Sequence, residues 1–231
     1  MRLLIRAVVV AFFVAIVHAD QIDYDEVEPF PETKPTTSEY AIGLKYQPQL
    51  SVIKLNCKPY PAVDADGNTG GGASFTLLKR NCRESKNGSQ VYGRAAVYKD
   101  AWAIMYAWYF PSAGIMKTHD WEHVIVWLDG SGKDATLGAV TVPRPFGHYR
   151  MYAPPALRWM DGDSIKLRYK NMYGVRYLQA TSNIGEYQDL VMWEDMTDKA
   201  RTALKTTDFG SDAVPILDDE FLGYLRKAYP W

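Results

Sequence analysis

Along most of the chain, apolar positions alternate with polar ones or run together, and only near the C-terminus do they recur at helical spacing. Residues 50–55, Gln90–Tyr98, Ala101–Phe110, 137–142, 165–169 and 177–181 therefore read as strands. The stretch Ala101–Phe110 is almost wholly apolar and aromatic and is ended by Pro111, the pattern of a strand covered on both faces. A further strand begins at His119-Asp120-Trp121-Glu122-His123 and continues through β-branched residues to Leu128. Residues two apart on a strand share a face. Asp120 and Glu122 thus join Val124, Val126 and Leu128, while His119, Trp121, His123, Ile125 and Trp127 take the opposite side. Residues 60–72 form a turn-rich loop, and 143–155, with His148, form a Pro- and aromatic-rich one. Helices are expected only late. One spans 197–204, with Thr197 as N-cap and Ala200, Ala203 and Leu204 inward. The other is Asp218–Ala228, with acids in its first turn, Arg226 and Lys227 in its last, and Phe221, Leu222 and Leu225 inward. The expected fold class is mainly β: a two-sheet antiparallel β-sandwich with a few peripheral α-helices.

The chain ends modify this picture. Residues 1–19, MRLLIRAVVVAFFVAIVHA, carry Arg2 and Arg6 ahead of a short apolar core and small residues at Val17 and Ala19, as a secretory signal peptide does. That core is short for a membrane span. Residues 20–47 are rich in acid, Pro and Thr without a sustained period, and are expected to form an extended arm, disordered in part. The folded domain is expected over 48–231. Without Arg2 and Arg6, 24 of the 26 basic residues face 27 acidic ones, a net charge of −3 that leaves no footprint for nucleic acid. Both cysteines, Cys57 and Cys82, lie in the exported part, so one disulfide is expected. Asn87-Gly88-Ser89 is an N-glycosylation acceptor.

Candidate chemistry centres on Asp120 and Glu122, whose carboxylates start about 6.6 Å apart along one strand face. Their repulsion has to be offset by a hard cation, a basic side chain or a raised pKa. Three readings follow: an acid/base pair in an enzyme, structural polarity satisfied by backbone amides and basic side chains, or a cation site that presents a surface to a ligand. His119 and His123 are four apart, but on a strand and not on the helix that a zinc-binding HExxH motif needs. Asp64, Asp66 and Asn68 alternate like a calcium loop, yet the terminal glutamate and flanking helices of an EF-hand are absent.

At these residues the chain resembles the necrosis- and ethylene-inducing peptide 1-like proteins. The likeness runs from about Leu50 to Ala228. It is carried by Cys57-Lys58-Pro59-Tyr60-Pro61-Ala62-Val63-Asp64, by Gly88-Ser89-Gln90-Val91-Tyr92-Gly93-Arg94, and by Ala103-Ile104-Met105-Tyr106-Ala107-Trp108-Tyr109-Phe110-Pro111. It continues in His119-Asp120-Trp121-Glu122-His123, in Gly185-Glu186-Tyr187-Gln188, and through Ala200-Arg201 to Asp208-Phe209-Gly210-Ser211. The two-cysteine pattern is similar to the type 1 group of oomycetes. The resemblance implies a sandwich flanked by helices, related in shape to actinoporins and lectins. It implies a non-enzymatic protein secreted into the host apoplast, where cytolytic members bind Mg2+ or Ca2+ and recognise the sugar headgroups of plant sphingolipids. It also implies perception by a plant cell-surface immune receptor, through a pattern beginning with Ala103–Pro111.

Departures from the family pattern carry their own expectations. Where the central heptapeptide opens Gly-His, this chain has Met116-Lys117 ahead of Thr118, so Lys117 replaces a histidine ligand of the ion. Ser112-Ala113-Gly114 follow the Tyr-Phe-Pro run in place of a segment with an aspartate ligand. Of that ligand set Asp120 and Glu122 remain. The membrane-facing loop has Met172 and Arg176 where toxic members carry Trp and His. The expectation is a protein that binds no ion tightly and is not cytolytic; the alternatives are an active cytolytic toxin whose geometry is restored by neighbouring residues and a metal-assisted hydrolase of plant wall polymer.

Overall fold

A computed structural model describes residues 20–53, 56–73, 82–112, 117–130, 134–172, 175–210 and 213–231, the side chains of residues 171 and 172 excepted. The elements in chain order are β1 (Gln21–Ile22), α1 (Ser38–Lys45), β2 (Gln49–Val52), β3 (Thr69–Gly70), β4 (Gln90–Tyr98), β5 (Ala101–Phe110), β6 (Asp120–Asp129) and β7 (Thr136–Pro143). They continue with β8 (Tyr149–Tyr152), β9 (Met160–Asp161), β10 (Ser164–Met172), β11 (Val175–Ala180), β12 (Asp189–Met192), α2 (Asp198–Thr206) and α3 (Asp218–Ala228).

One sheet has six strands in the order β12-β4-β5-β6-β7-β8, a second runs β11-β10-β2 with β9 pairing β10, and β1 and β3 form a short parallel pair of their own. Each of the two larger sheets contains one parallel pair, β12 with β4 and β2 with β10, so they are mixed and not purely antiparallel as expected. The strands β2 and β12 have four residues each and arrive from distant parts of the sequence, which frees them from the hairpin geometry that forces antiparallel pairing.

The apolar run of β5 is explained by what lies on its two sides. Ile104, Tyr106, Trp108 and Phe110 point into the space between the sheets, with Val124, Val126, Leu167, Tyr169 and Leu178. Ala103, Met105, Ala107 and Tyr109 belong to a second core on the far side, with Trp121, Ile125 and Trp127 and with Ala200, Leu204, Phe221 and Leu225 of the helices. Period-two alternation therefore divides one continuous hydrophobic run between two cores. Helix α2 starts as its sequence predicts, Thr197 Oγ1 accepting from Ala200 N at 3.1 Å. In α3 the buried residues are Phe221, Leu225 and Ala228, whereas Leu222, expected inward, is 57% exposed. Position 222 lies about 100° around the helix from the 221/225/228 stripe.

Residues 20–47 are not the extended arm that composition predicts. Ser38–Lys45 is helical, capped by Thr37 Oγ1, and Val27, Phe30, Ile42 and Tyr46 are buried. Thr33 N donates to Leu190 O at 2.7 Å and Thr33 Oγ1 to Asp195 at 2.6 Å, which ties the segment to β12. Gln90, at the start of β4, exchanges side-chain hydrogen bonds with the backbone N–H and C=O of Phe30. Its low hydrophobicity is offset by a few anchors and by neighbours from far along the chain. The loop 143–155 likewise contains β8, which extends the six-stranded sheet.

Cys57 and Cys82 are joined by a disulfide, as expected. A sequence separation of 25 corresponds to about 3 kcal/mol of stabilisation in the chain-entropy account. The side-chain amide of Asn87, in the expected glycosylation motif, donates to the carbonyls of Asp25 and Val27 at 3.3 and 3.5 Å and so holds the N-terminal segment. Asp64, Asp66 and Asn68 close their loop on themselves: Asp64 Oδ1 accepts from the backbone N–H of both Asp66 and Asn68. The expected signal peptide, residues 1–19, lies outside the described residues.

Candidate functional site

The carboxylate pair lies at the beginning of β6, where Asp120 is opposite Phe110 and Glu122 opposite Trp108 on β5. Both are nearly inaccessible, at 3% and 6% exposure. As the alternation predicts, they face the space between the sheets, towards β10. Asp120 Oδ2 accepts from the Tyr169 hydroxyl at 2.5 Å, and Asp120 Oδ1 accepts from Lys117 Nζ at 3.1 Å. The Tyr169 ring is held by parallel stacking on Phe110, with centroids 4.1 Å apart. Burial, followed by the negative charge and hydrogen bond of Asp120, raises the Tyr169 pKa well above its ordinary value, and Arg176 partly opposes this. Tyr169 thus remains a protonated donor. The carboxylate of Asp120 is neutralised by an ammonium and further satisfied by a phenol, both supplied by the chain itself.

The histidines turn to the other face and do not join the carboxylates. His119 Nδ1 is 2.7 Å from the Tyr109 hydroxyl, and a Cβ added at Gly72 would approach Thr118 O to 2.7 Å and His119 Cε1 to 2.8 Å. Gly72, with φ +78°, therefore lets its loop lie directly over this ring. His123 Nε2 is 2.8 Å from the Tyr149 hydroxyl, and its ring centroid is 4.6 Å from that of Tyr224. Burial lowers the His123 pKa to about 3, so the imidazole is neutral at physiological pH. Trp121 lies between them, against Tyr92, Tyr109 and Phe209. Among the described residues, no group of three or more His, Cys, Asp and Glu side chains is arranged to hold a metal ion.

Other expected site residues are dispersed through the fold. Ala103–Phe110 is the interior strand β5, bonded on one edge to β4 and on the other to β6. Pro111 O accepts from Ala73 N at 2.7 Å, and Ser112 follows it. Ala113 and Met116 lie outside the described residues. The Met172 backbone pairs with Val175 at the end of the β10–β11 hairpin, and Arg176, opposite Asn171, borders a groove beside Glu122. Sequence reasoning missed Tyr169. Alternation along β10 puts it on one face with Ile165 and Leu167, but nothing local to either strand says that Asp120 stands across the sandwich from it.

Residues 41–228 match the protein family Necrosis inducing protein (NPP1). The chain is 46% identical over 217 residues to NLP effector protein 2 of Phytophthora capsici, an alignment covering 91% of this chain and 87% of that protein. The crystal structure of the non-toxic HaNLP3 protein superposes with a TM-score of 0.83 at 39% identity, covering 90% of this chain and 99% of that one. NLPPya in complex with mannosamine gives a TM-score of 0.83 at 36% identity, covering 91% and 99%. With its two-sheet core flanked by helices and the Asp120–Glu122 pair at the start of a central strand, the chain belongs to the necrosis inducing protein (NPP1) family.

Proposed function

We propose that the protein is a secreted, non-enzymatic effector that acts in the apoplast of a host plant and recognises sugar-bearing headgroups of plant sphingolipids without lysing the cells. The observation that carries this reading is the Lys117 ammonium, 3.1 Å from Asp120 where an ion-binding relative would need a divalent cation. Hard cations take six or more oxygen ligands. Here one oxygen of Asp120 meets an ammonium and the other a phenol O–H, so an ion would have to displace both and approach a positive charge. Lysine also offsets the acid–acid repulsion, the term that would favour an ion at this pair. With the ammonium in place of an ion, a sugar hydroxyl has to be held by hydrogen bonds and not by metal coordination. Similarity to the mannosamine-bound NLPPya supports sugar recognition, and similarity to the non-toxic HaNLP3 supports the absence of lysis.

Calorimetry with Ca2+ and Mg2+ is expected to show no binding in the micromolar range. Vesicles containing plant glycosylated sphingolipids are expected to retain an entrapped dye. Micromolar ion affinity together with leakage matching that of a toxic relative would reverse this reading.

Perception by a plant receptor is part of the proposed role. In the folded protein both edges of β5 are already paired and its side chains are buried, so a receptor that adds a strand to this segment has to meet it as a released peptide. A synthetic peptide of residues 103–122 is expected to trigger an oxidative burst in responsive plants. Silence where a relative's peptide is active would refute this role.

A further inference from the structure

The strand β10, central to the smaller sheet, sends alternate side chains to opposite faces. Ile165, Leu167 and Tyr169 are buried in the core between the sheets, so Lys166, Arg168 and Lys170 share the outer face. Successive cations there start about 6.6 Å apart, and the row is about 13 Å long. The exported chain around them is net negative. All three side chains are half-buried, and none makes a hydrogen bond or ion pair among the described residues. The acids that border this sheet are engaged elsewhere. Asp161 of β9 accepts from Gln49 Nε2 at 2.5 Å, Asp163 meets Lys45 at 3.9 Å, and Glu186, bridged to Leu50 of β2, meets Lys58 at 2.9 Å. The positions beside the row are polar and uncharged: Ser51 and Gln179 flank Arg168, and Thr181 N donates to Lys166 O at 2.9 Å. Three like charges aligned without an internal acid repel one another, and a ligand that brings negative charges in a line relieves that repulsion.

We infer that the outer face of the β11-β10-β2 sheet binds a linear acidic polysaccharide, an unbranched chain with one carboxylate per sugar. Such a polymer lays its carboxylates along the row, where the three cations act as one multivalent set, and its hydroxyls meet Ser51, Gln179 and Thr181. An anionic lipid surface fits this face less well. Among the described side chains of β2, β10 and β11, the exposed large apolar residue is Val175 at the hairpin tip, so the row has no apolar anchor along its length. None of the three cations lines the groove beside Glu122. The inference therefore goes beyond the proposed function and does not rest on it.

Titration calorimetry of the mature, disulfide-bonded protein with an oligogalacturonate of about ten sugars, with a chelator present, tests it. Galacturonate monomer, the fully methyl-esterified oligomer, polyglutamate and vesicles containing phosphatidylserine are the comparisons. The acidic oligomer is expected to bind about tenfold or more tighter than the monomer or the esterified oligomer, and tighter than polyglutamate or the vesicles. Raising NaCl from about 50 to about 200 mM is expected to weaken it about tenfold. Combining Lys166→Gln, Arg168→Gln and Lys170→Gln is expected to lower the affinity about tenfold or more with an unchanged melting temperature, because the side chains make no contacts that the fold needs. Arg168→Gln alone is expected to weaken binding several-fold and Arg168→Lys to keep most of it, which keeps the test decisive if the triple variant does not fold. No binding of the oligomer at the lower salt, equal binding of its ester, tighter binding of polyglutamate or the vesicles, or an affinity untouched in the folded variants would overturn the inference. No sphingolipid or divalent ion enters the oligomer titration, so its outcome is independent of the ion and leakage predictions.

Discussion

Acidification from pH 6.5 towards pH 3 is expected to remove about 4–5 kcal/mol of stability through His123 alone, with a slope approaching about 1.4 kcal/mol per pH unit in the middle of that window. The imidazole is buried, and its pKa in the fold is about 3 against an ordinary value of 6.5. The sign follows from proton counting. Between those two values the unfolded chain holds a proton that the folded chain does not, so the unfolding free energy rises with pH. The stabilisation is complete above pH 6.5 and is lost as pH falls towards the folded value. His123 can take the charge only by leaving its place between Tyr149 and Tyr224 or by bringing water to it. Urea unfolding at intervals from pH 4 to 7, for wild type and His123→Gln, isolates the effect. Glutamine can still meet the Tyr149 hydroxyl but does not titrate, so the wild type is expected to lose its advantage steadily as pH falls. A difference between the two proteins that stays constant over this range would show that His123 does not set the acid limit.

Gly185→Ala is expected to destabilise the fold by about 3 kcal/mol or more, because the new methyl group has no room and the atoms that crowd it cannot retreat. An ideal Cβ at Gly185 would lie 2.6 Å from the carbonyl carbon of Leu50 and 2.8 Å from both Leu50 N and Ser51 N. Leu50 is pinned there. Its N–H donates to Glu186 O at 2.9 Å and its carbonyl accepts from Glu186 N at 3.0 Å, while β2 is paired along its length with β10. The strain would spread to the buried Trp108, whose indole N–H donates to Gln188 Oε1 at 2.8 Å. Gly223→Ala, in α3 with nothing within 4 Å of the new Cβ, is the matched control. It is expected to be neutral or to stabilise by up to about 1 kcal/mol, from helix propensity. Thermal or chemical unfolding of the two variants measures the contrast, and similar midpoints would mean that the close approach at Leu50 is not a constraint.

The motif Gly185-Glu186-Tyr187-Gln188 shows how local sequence and distant structure combine. As a string it offers a glycine and a turn-like polar stretch. In the fold Gly185 admits the β2 backbone, Glu186 pairs with Leu50 and meets Lys58 at 2.9 Å, and Gln188 receives an indole from the centre of the sheet. None of these partners lies within 75 residues of it in the chain.

What the amino-acid sequence determined by itself was the inside and outside of its longer elements. The alternation through β5 and β6 assigns each residue to one of two faces, and the structure puts a core on each. The cap at Thr197, the acidic and basic ends of α3 and the Cys57–Cys82 bond were equally legible, because each depends on residues a few positions apart or on a single available pair. Tertiary structure decided what stands opposite those faces. Tyr169 donates to Asp120 from 49 residues away, the Arg144 guanidinium lies over the Tyr177 ring, and α1, β2, β8 and β12 exist as elements held by neighbours from other parts of the chain. The physical reason is that side-chain periodicity records the orientation of a residue about its own backbone axis. The partner across a sheet or a groove is selected by packing and hydrogen-bond satisfaction summed over the whole domain, and short polar segments with weak intrinsic preference take whatever conformation that sum favours.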